Sequence, residues 1–196
     1  MRIISPNEFK RLPWKNGKGE TIELAINDGG TMADFDWRIS MAKVTEDGPF
    51  SDFSGYQRHL LLLDGIGITL KHQHAAADDH GERQTLATPL AIAEFDGGLM
   101  TSGTLMNGPI SDFNLIVNAA KYRAEVHALQ ANSLTLPLSQ LLFAYAVTGN
   151  GEVTLSNNTI TLPQGHLLRL AADELAPNTS VNFSGERVII MSLTLL

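Results

Sequence analysis

Apolar and polar positions alternate in short runs along most of this chain, and turn residues separate the runs. Residues 21–26, 37–44, 59–63, 66–71, 113–118, 141–148, 152–155, 167–171 and 188–195 each read as a strand bounded by Gly, Asn, Asp or Pro. Many short strands with turn signals between them predict an all-β sandwich or barrel. Helical signals are thin: one turn over 6–11, and a mixed pattern over 122–129.

The pattern also repeats. His59-Leu60-Leu61-Leu62-Leu63-Asp64-Gly65-Ile66-Gly67-Ile68-Thr69-Leu70 is echoed by Phe143-Ala144-Tyr145-Ala146-Val147-Thr148-Gly149-Asn150-Gly151-Glu152-Val153-Thr154-Leu155. Each copy reads as a strand, a G-x-G hairpin turn and a second strand ending in Thr-Leu, with glycine supplying the positive φ of a tight turn. The second copy continues into Pro163-Gln164-Gly165, a P-x-G turn, and the first into a polar insertion over 73–84. This order is similar to that of the cupin superfamily, which are jelly-roll barrels. Two copies imply a bicupin, all-β, with two jelly-roll-like β-barrel units and little helix. The expected division is 1–120 and 121–196, with exchange of strands between the units left open.

Composition narrows the function classes. With 14 basic and 21 acidic residues the net charge is −7, and no basic run could track phosphates, so neither nucleic acid nor an anionic membrane is an expected partner. Cysteine is absent, which removes disulfides, thiol catalysis and cysteine metal sites. The start of the chain turns polar after two apolar residues, and the apolar runs are too short to span a bilayer, so a cytoplasmic protein is expected. There is no G-x-S-x-G elbow, no P-loop and no dinucleotide fingerprint.

Charge placed within the strands is the distinctive feature. Trp37-Arg38-Ile39-Ser40 and Gly48-Pro49-Phe50-Ser51-Asp52-Phe53-Ser54-Gly55-Tyr56-Gln57-Arg58 set two arginines among aromatic and apolar residues. A guanidinium among half-buried strands needs compensation, either an internal carboxylate or an anionic ligand.

Trp14-Lys15-Asn16-Gly17-Lys18-Gly19-Glu20-Thr21-Ile22-Glu23 resembles the opening W-[KR]-N-G-x-G-x-T-x-E motif of the HutD/Ves family. Asp36-Trp37-Arg38-Ile39-Ser40, the Gly48 to Arg58 segment, and Gly108-Pro109-Ile110-Ser111-Asp112-Phe113-Asn114 match its later motifs in order. Two departures stand out: Ile116-Val117-Asn118 follows where a basic residue is common, and Ser54 stands where proline is common. The resemblance implies a bicupin without a demonstrated catalytic activity, linked in better-known members to restraint of histidine utilisation through binding of a small metabolite. Urocanate and formylated glutamates are the natural candidates. Another branch is associated with cold and stress responses.

Residues two apart in a strand share a face. Thr21 and Glu23 therefore point together, as do Arg38 and Ser40. With Arg58 and Asn114 they would give a barrel interior a guanidinium, a carboxylate, a hydroxyl and an amide, a set suited to a small carboxylate. Alternatively Glu23 and Arg38 pair with each other as a structural salt bridge. Trp14 and Asn16 sit on a loop, where the indole either lids a pocket or plugs the barrel end. Ser51 is a weaker ligand-binding candidate.

His72 and His74 have the spacing of a strand-borne metal pair, with His59, His80 and His166 as further candidates. They follow the first G-x-G turn where a metal cupin's pair precedes the return, so exposed histidines and no metal or other cofactor are expected. The alternatives are a metal-independent cupin enzyme, with Glu23 as base and Arg38 as electrostatic stabiliser, or a non-catalytic interaction module. Edge strands also make a homodimer an expectation.

Overall fold

The structure, a computed structural model, describes residues 1–14, 19–74, 81–156, 158–174 and 179–196. In chain order the strands are β1 (Arg2–Ile4), β2 (Lys10–Pro13), β3 (Glu20–Ile26), β4 (Trp37–Val44), β5 (Gly48–Pro49), β6 (Tyr56–Asp64), β7 (Ile68–Gln73), β8 (Glu82–Leu86), β9 (Ile92–Asp96), β10 (Met100–Leu105), β11 (Ile110–Asn118), β12 (Tyr122–Pro137), β13 (Leu141–Leu155), β14 (Asn158–Leu162), β15 (Leu167–Ala171) and β16 (Ser180–Leu195). The all-β, jelly-roll expectation holds. Among the described residues helix is confined to 3-10 turns at Pro6–Glu8 and Ala172–Glu174, and residues 122–129 are strand. Among the described residues no helix is long and apolar enough to cross a membrane.

Two compact units form, one of Lys10–Lys121 and one of Met1–Phe9 with Tyr122–Leu196. In the first, a sheet ordered β2-β3-β4-β11-β6-β9 faces a sheet ordered β5-β10-β7-β8. Leu60, Leu62, Ala93, Phe95 and Ile110 of the larger sheet pack with Ile68, Leu70 and Leu86 of the smaller. Burial of each such leucine is worth about 1.5–3 kcal/mol, enough to hold the two sheets together.

The first G-x-G is not a hairpin. β6 and β7 lie in different sheets, so Gly65 and Gly67 carry the chain round a corner between them. Their φ angles are +101° and +146°. A Cβ on Gly65 would stand 2.7 Å from the Pro109 carbonyl oxygen, and one on Gly67 2.5 Å from that of Leu86. Close backbone approach, rather than strand pairing, accounts for the two glycines.

The other unit is one sheet ordered β1-β15-β13-β16-β12, with β14 also paired to β13. Its long strands bend to enclose their own core. β13 is continuous through the second G-x-G, with register shifts between Ala146 and Thr148 and between Thr148 and Gly151. It pairs with β15 up to Tyr145 and with β14 from Gly151. The second copy of the repeat is thus an irregularity within a bent strand, not a hairpin. Its main core cluster, including Leu142, Leu168, Phe183 and Ile190, is hydrocarbon throughout.

Candidate functional site

Every buried polar or charged side chain among the described residues lies in the Lys10–Lys121 unit: Glu23, Arg38, Ser40, Arg58, His59, His72, Thr101, Asp112 and Asn114. Strand register explains how most of them meet. Across the larger sheet, Arg38 of β4 and Arg58 of β6 both pair with Ile116 of β11, while Ser40 and Leu60 both pair with Asn114. Ala42 and Leu62 flank Asp112 in the same way. Directly paired residues point to one side, so the two arginines share the inner face with Asn114, Asp112, Leu60 and Leu62. Trp37 and Ile39 occupy the opposite face.

Arg38 and Glu23 pair with each other. Arg38 Nε donates to Glu23 Oε2 at 2.8 Å, and their side chains are only 5% and 7% exposed. Lys10 Nζ stands 3.8 Å from the other Glu23 oxygen, and Ser40 Oγ lies 3.5 Å from Arg38 NH1. The register slips between Glu23 and Ala25, a bulge that falls beside this pair.

Arg58 is compensated differently. Its NH2 donates to the amide oxygen of Asn114 at 2.9 Å, and its NH1 makes a long contact of 3.4 Å with the Ser51 carbonyl. The Asn114 amide in turn donates to Asp112 Oδ1 at 2.7 Å. Arg58 and Asp112 are therefore linked through a neutral amide. Phe50, Phe53 and Phe95 surround the guanidinium, with ring centroids 5.3, 5.4 and 5.2 Å from its central carbon. Cation–π attraction of about 2 kcal/mol per desolvated contact replaces part of the lost hydration. Arg58 Nε is buried and has no hydrogen-bond partner.

Burial dominates the electrostatics. It lowers the Arg58 guanidinium to about 10, against the pull of Asp112 and reinforced by Arg38. It pushes the Asp112 carboxyl up to about 7, overriding the Arg58 charge and hydrogen bonds from the Ala42 backbone and Asn114. The apolar neighbours Ala42 and Leu62 explain why desolvation wins there. At neutral pH the interior thus holds one closed ion pair and one arginine whose counter-ion is half neutralised.

His72 is buried, 3% exposed, whereas the sequence placed it with exposed histidines; His74 is exposed. Ile68, Leu70 and His72 alternate along β7, so the ring follows two core residues inward. Its Nδ1 lies 2.9 Å from Thr101 Oγ1, and its ring centroid is 4.5 Å from that of Phe95. Among the described residues no three His, Asp or Glu side chains gather as a metal-binding group. His80 and Asn16 fall outside the described residues.

Trp14 is tied down at the paired ends of β2 and β3. Its indole Nε1 donates to Thr21 Oγ1 at 2.9 Å, its backbone amide donates to the Gly19 carbonyl, and its ring lies against Gly19. Trp14→Phe keeps the packing and loses one partly buried hydrogen bond. The expected cost is about 1 kcal/mol in urea unfolding.

Strand pattern and motif place His72 only in a candidate metal pair, and Asp112, Phe50 and Phe53 only within motif segments; they give Thr101 and Phe95 no role. A shared strand face is a further signal for two of these residues. Asp112 stands two before Asn114 and so shares its face, and His72 continues the Ile68, Leu70 alternation.

The HutD family model matches residues 6–190. An uncharacterised 21.2 kDa protein in the hutC 3′ region of Pseudomonas putida is 31% identical over 160 residues, covering 82% of this chain and 80% of the relative. Protein Ves of Citrobacter koseri is 28% identical over 178 residues, covering 85% and 87%. The solved structure of HutD from Pseudomonas fluorescens SBW25, formate condition, has a TM-score of 0.79 at 27% identity and covers 100% of this chain and 98% of its own. A formate complex of Lactobacillus farciminis oxalate decarboxylase matches in fold alone, with a TM-score of 0.64 at 8% identity, covering 98% and 85%. The sheets are those of a cupin-like protein, and the chain belongs to the HutD family.

Proposed function

We propose that the interior of the Lys10–Lys121 unit binds a small carboxylate metabolite, and that the protein is a cytoplasmic sensor or buffer in the regulation of histidine utilisation. The carrying observation is Arg58. It is a buried guanidinium with a free Nε donor, and the Asp112 carboxyl it reaches through Asn114 is only half ionised at neutral pH. A carboxylate entering beside it would supply the missing acceptor and the missing charge together.

Two relatives support the metabolic context. One is encoded in a hutC 3′ region, and one, a HutD, was solved in a formate condition. Urocanate and formylated glutamate derivatives are the acids to try first. The enzyme alternative is weaker, because its intended base, Glu23, is occupied by Arg38 and Lys10.

A thermal-shift series with urocanate, formylglutamate, formiminoglutamate, glutamate and formate tests the reading. An acid present at a hundred times its dissociation constant stabilises the fold by about 2.7 kcal/mol, a rise of several degrees. Arg58→Met keeps an apolar stem among the three phenylalanines and removes the charge. At pH 6, where Asp112 is mostly neutral in the folded protein, the variant is expected to fold and to bind the active acid at least tenfold more weakly. A flat response to every acid overturns the proposal.

A further inference from the structure

We propose that His72 is a specificity-determining residue of this interior: its Nε2 accepts a hydrogen bond from a neutral O–H or N–H group of a ligand whose carboxylate lies on Arg58. The site then selects carboxylic acids that carry a hydroxyl or an amide N–H near the carboxylate. The inference rests on the carboxylate reading of Arg58 given above and extends it to the second half of the ligand.

Hydrogen-bond bookkeeping assigns the tautomer. A threonine hydroxyl has one proton to give. Thr101 Oγ1 donates that proton to the Leu99 carbonyl at 3.3 Å, so towards His72 Nδ1, 2.9 Å away, it acts as an acceptor. The imidazole proton therefore sits on Nδ1, and Nε2 presents a bare lone pair. That Nε2 is buried and has no partner. Burial, reinforced by the charge of Arg58, holds the imidazole below its usual range, although Glu82 of β8 opposes them. The ring is neutral at physiological pH, so Nε2 stays an acceptor.

Two unmet groups thus stand against one ring. Phe95 packs on His72 at 4.5 Å and lies 5.2 Å from the Arg58 guanidinium carbon. One contributes an unpartnered donor, Arg58 Nε, and the other an unpartnered acceptor, His72 Nε2. Leaving such groups unmet is costly, and a site that hydrogen-bonds a ligand's polar group discriminates strongly against an analogue lacking it. A plain carboxylate satisfies only Arg58. A second carboxylate would face the Nε2 lone pair, and an ammonium group would sit beside Arg58. A neutral donor avoids both repulsions.

Isosteric acid pairs test the assignment on the intact protein. Glycolate and propionate differ by a hydroxyl for a methyl; N-acetylglycine and acetoxyacetate differ by N–H for an ester oxygen. Titration by NMR, with the ¹⁵N resonances of His72 followed, is expected to favour the donor-bearing member of at least one pair by tenfold or more. The Nε2 resonance should move with that acid and stay in place with its partner. His72→Phe, which retains a ring against Phe95, is expected to level the pair while binding propionate as before. Equal affinities within both pairs, or an Nε2 resonance unmoved by the preferred acid, overturn the His72 assignment and leave the carboxylate reading standing. If neither formate nor any of the four acids binds, the carboxylate reading fails and this inference fails with it.

Discussion

Arg38→Ala is expected to destabilise the Lys10–Lys121 unit by about 3–5 kcal/mol, the usual cost of removing one member of a buried ion pair. The loss comes from Glu23 more than from the missing bond. Its carboxylate would remain at 7% exposure with only the exposed Lys10 ammonium at 3.8 Å. The double variant Glu23→Gln with Arg38→Met removes both charges and keeps the volume, and should recover most of the stability. Urea unfolding of the two singles and the double completes the cycle. A coupling near zero would mean that the two charges are compensated independently, contrary to the 2.8 Å contact. The same cycle separates this pair from Arg58: neither change removes the Arg58–Asn114–Asp112 chain, so loss of ligand affinity in the rescued double variant would point to a direct role for Arg38.

Asp112→Asn is expected to flatten the dependence of stability on pH between about 4 and 8. The folded carboxyl is raised to about 7 from an ordinary value of 3.8, so the folded protein binds more protons than the unfolded chain within that window. Stability from this group is complete below about pH 4 and is lost as pH rises through about 7. A shift of this size corresponds to about 4 kcal/mol. Above pH 8 the amide variant should accordingly be the more stable protein, by a comparable amount less whatever its own N–H groups leave unpaired. His59 and His72 act in the opposite sense. Burial lowers both, so their contributions are present above 6.5 and fall away as pH drops through their folded values. Subtracting the variant's curve from the wild-type curve isolates Asp112, because both histidines remain in each protein. A wild-type curve parallel to the variant's from pH 4 to 8 would refute the assignment.

These two expectations describe one arrangement. Arg38 and Glu23 form a closed pair that fixes the β3–β4 side of the sheet, whereas Arg58 is held by an amide and three aromatic rings. Asp112, behind Asn114, sets how much positive charge Arg58 presents. Under the carboxylate reading, ionisation of Asp112 above pH 7 competes with the incoming anion for that charge, so affinity should decline there.

Strand alternation by itself determines several features of the site. Arg38 and Ser40 on the face opposite Trp37 and Ile39 follow from period two alone, as does the placing of Thr21 with Glu23 on one side of β3. The all-β class follows equally from turn spacing, and the order of motifs from Trp14 to Asn114 carries the family resemblance. Local pattern does not say which strands become neighbours. The G-x-G of residues 65–67 reads identically as a hairpin or as a corner between sheets, and the contacts with Pro109 and Leu86 that decide it come from distant sequence. For the same reason period two gives a face but no partner. Glu23 and Arg38 meet because β3 and β4 pair, and Arg58 reaches Asn114 because β6 and β11 do, 56 residues apart in the chain. The chemistry of Asp112 and His72 depends on desolvation by residues packed around them, a property of three-dimensional surroundings that no spacing along the chain encodes.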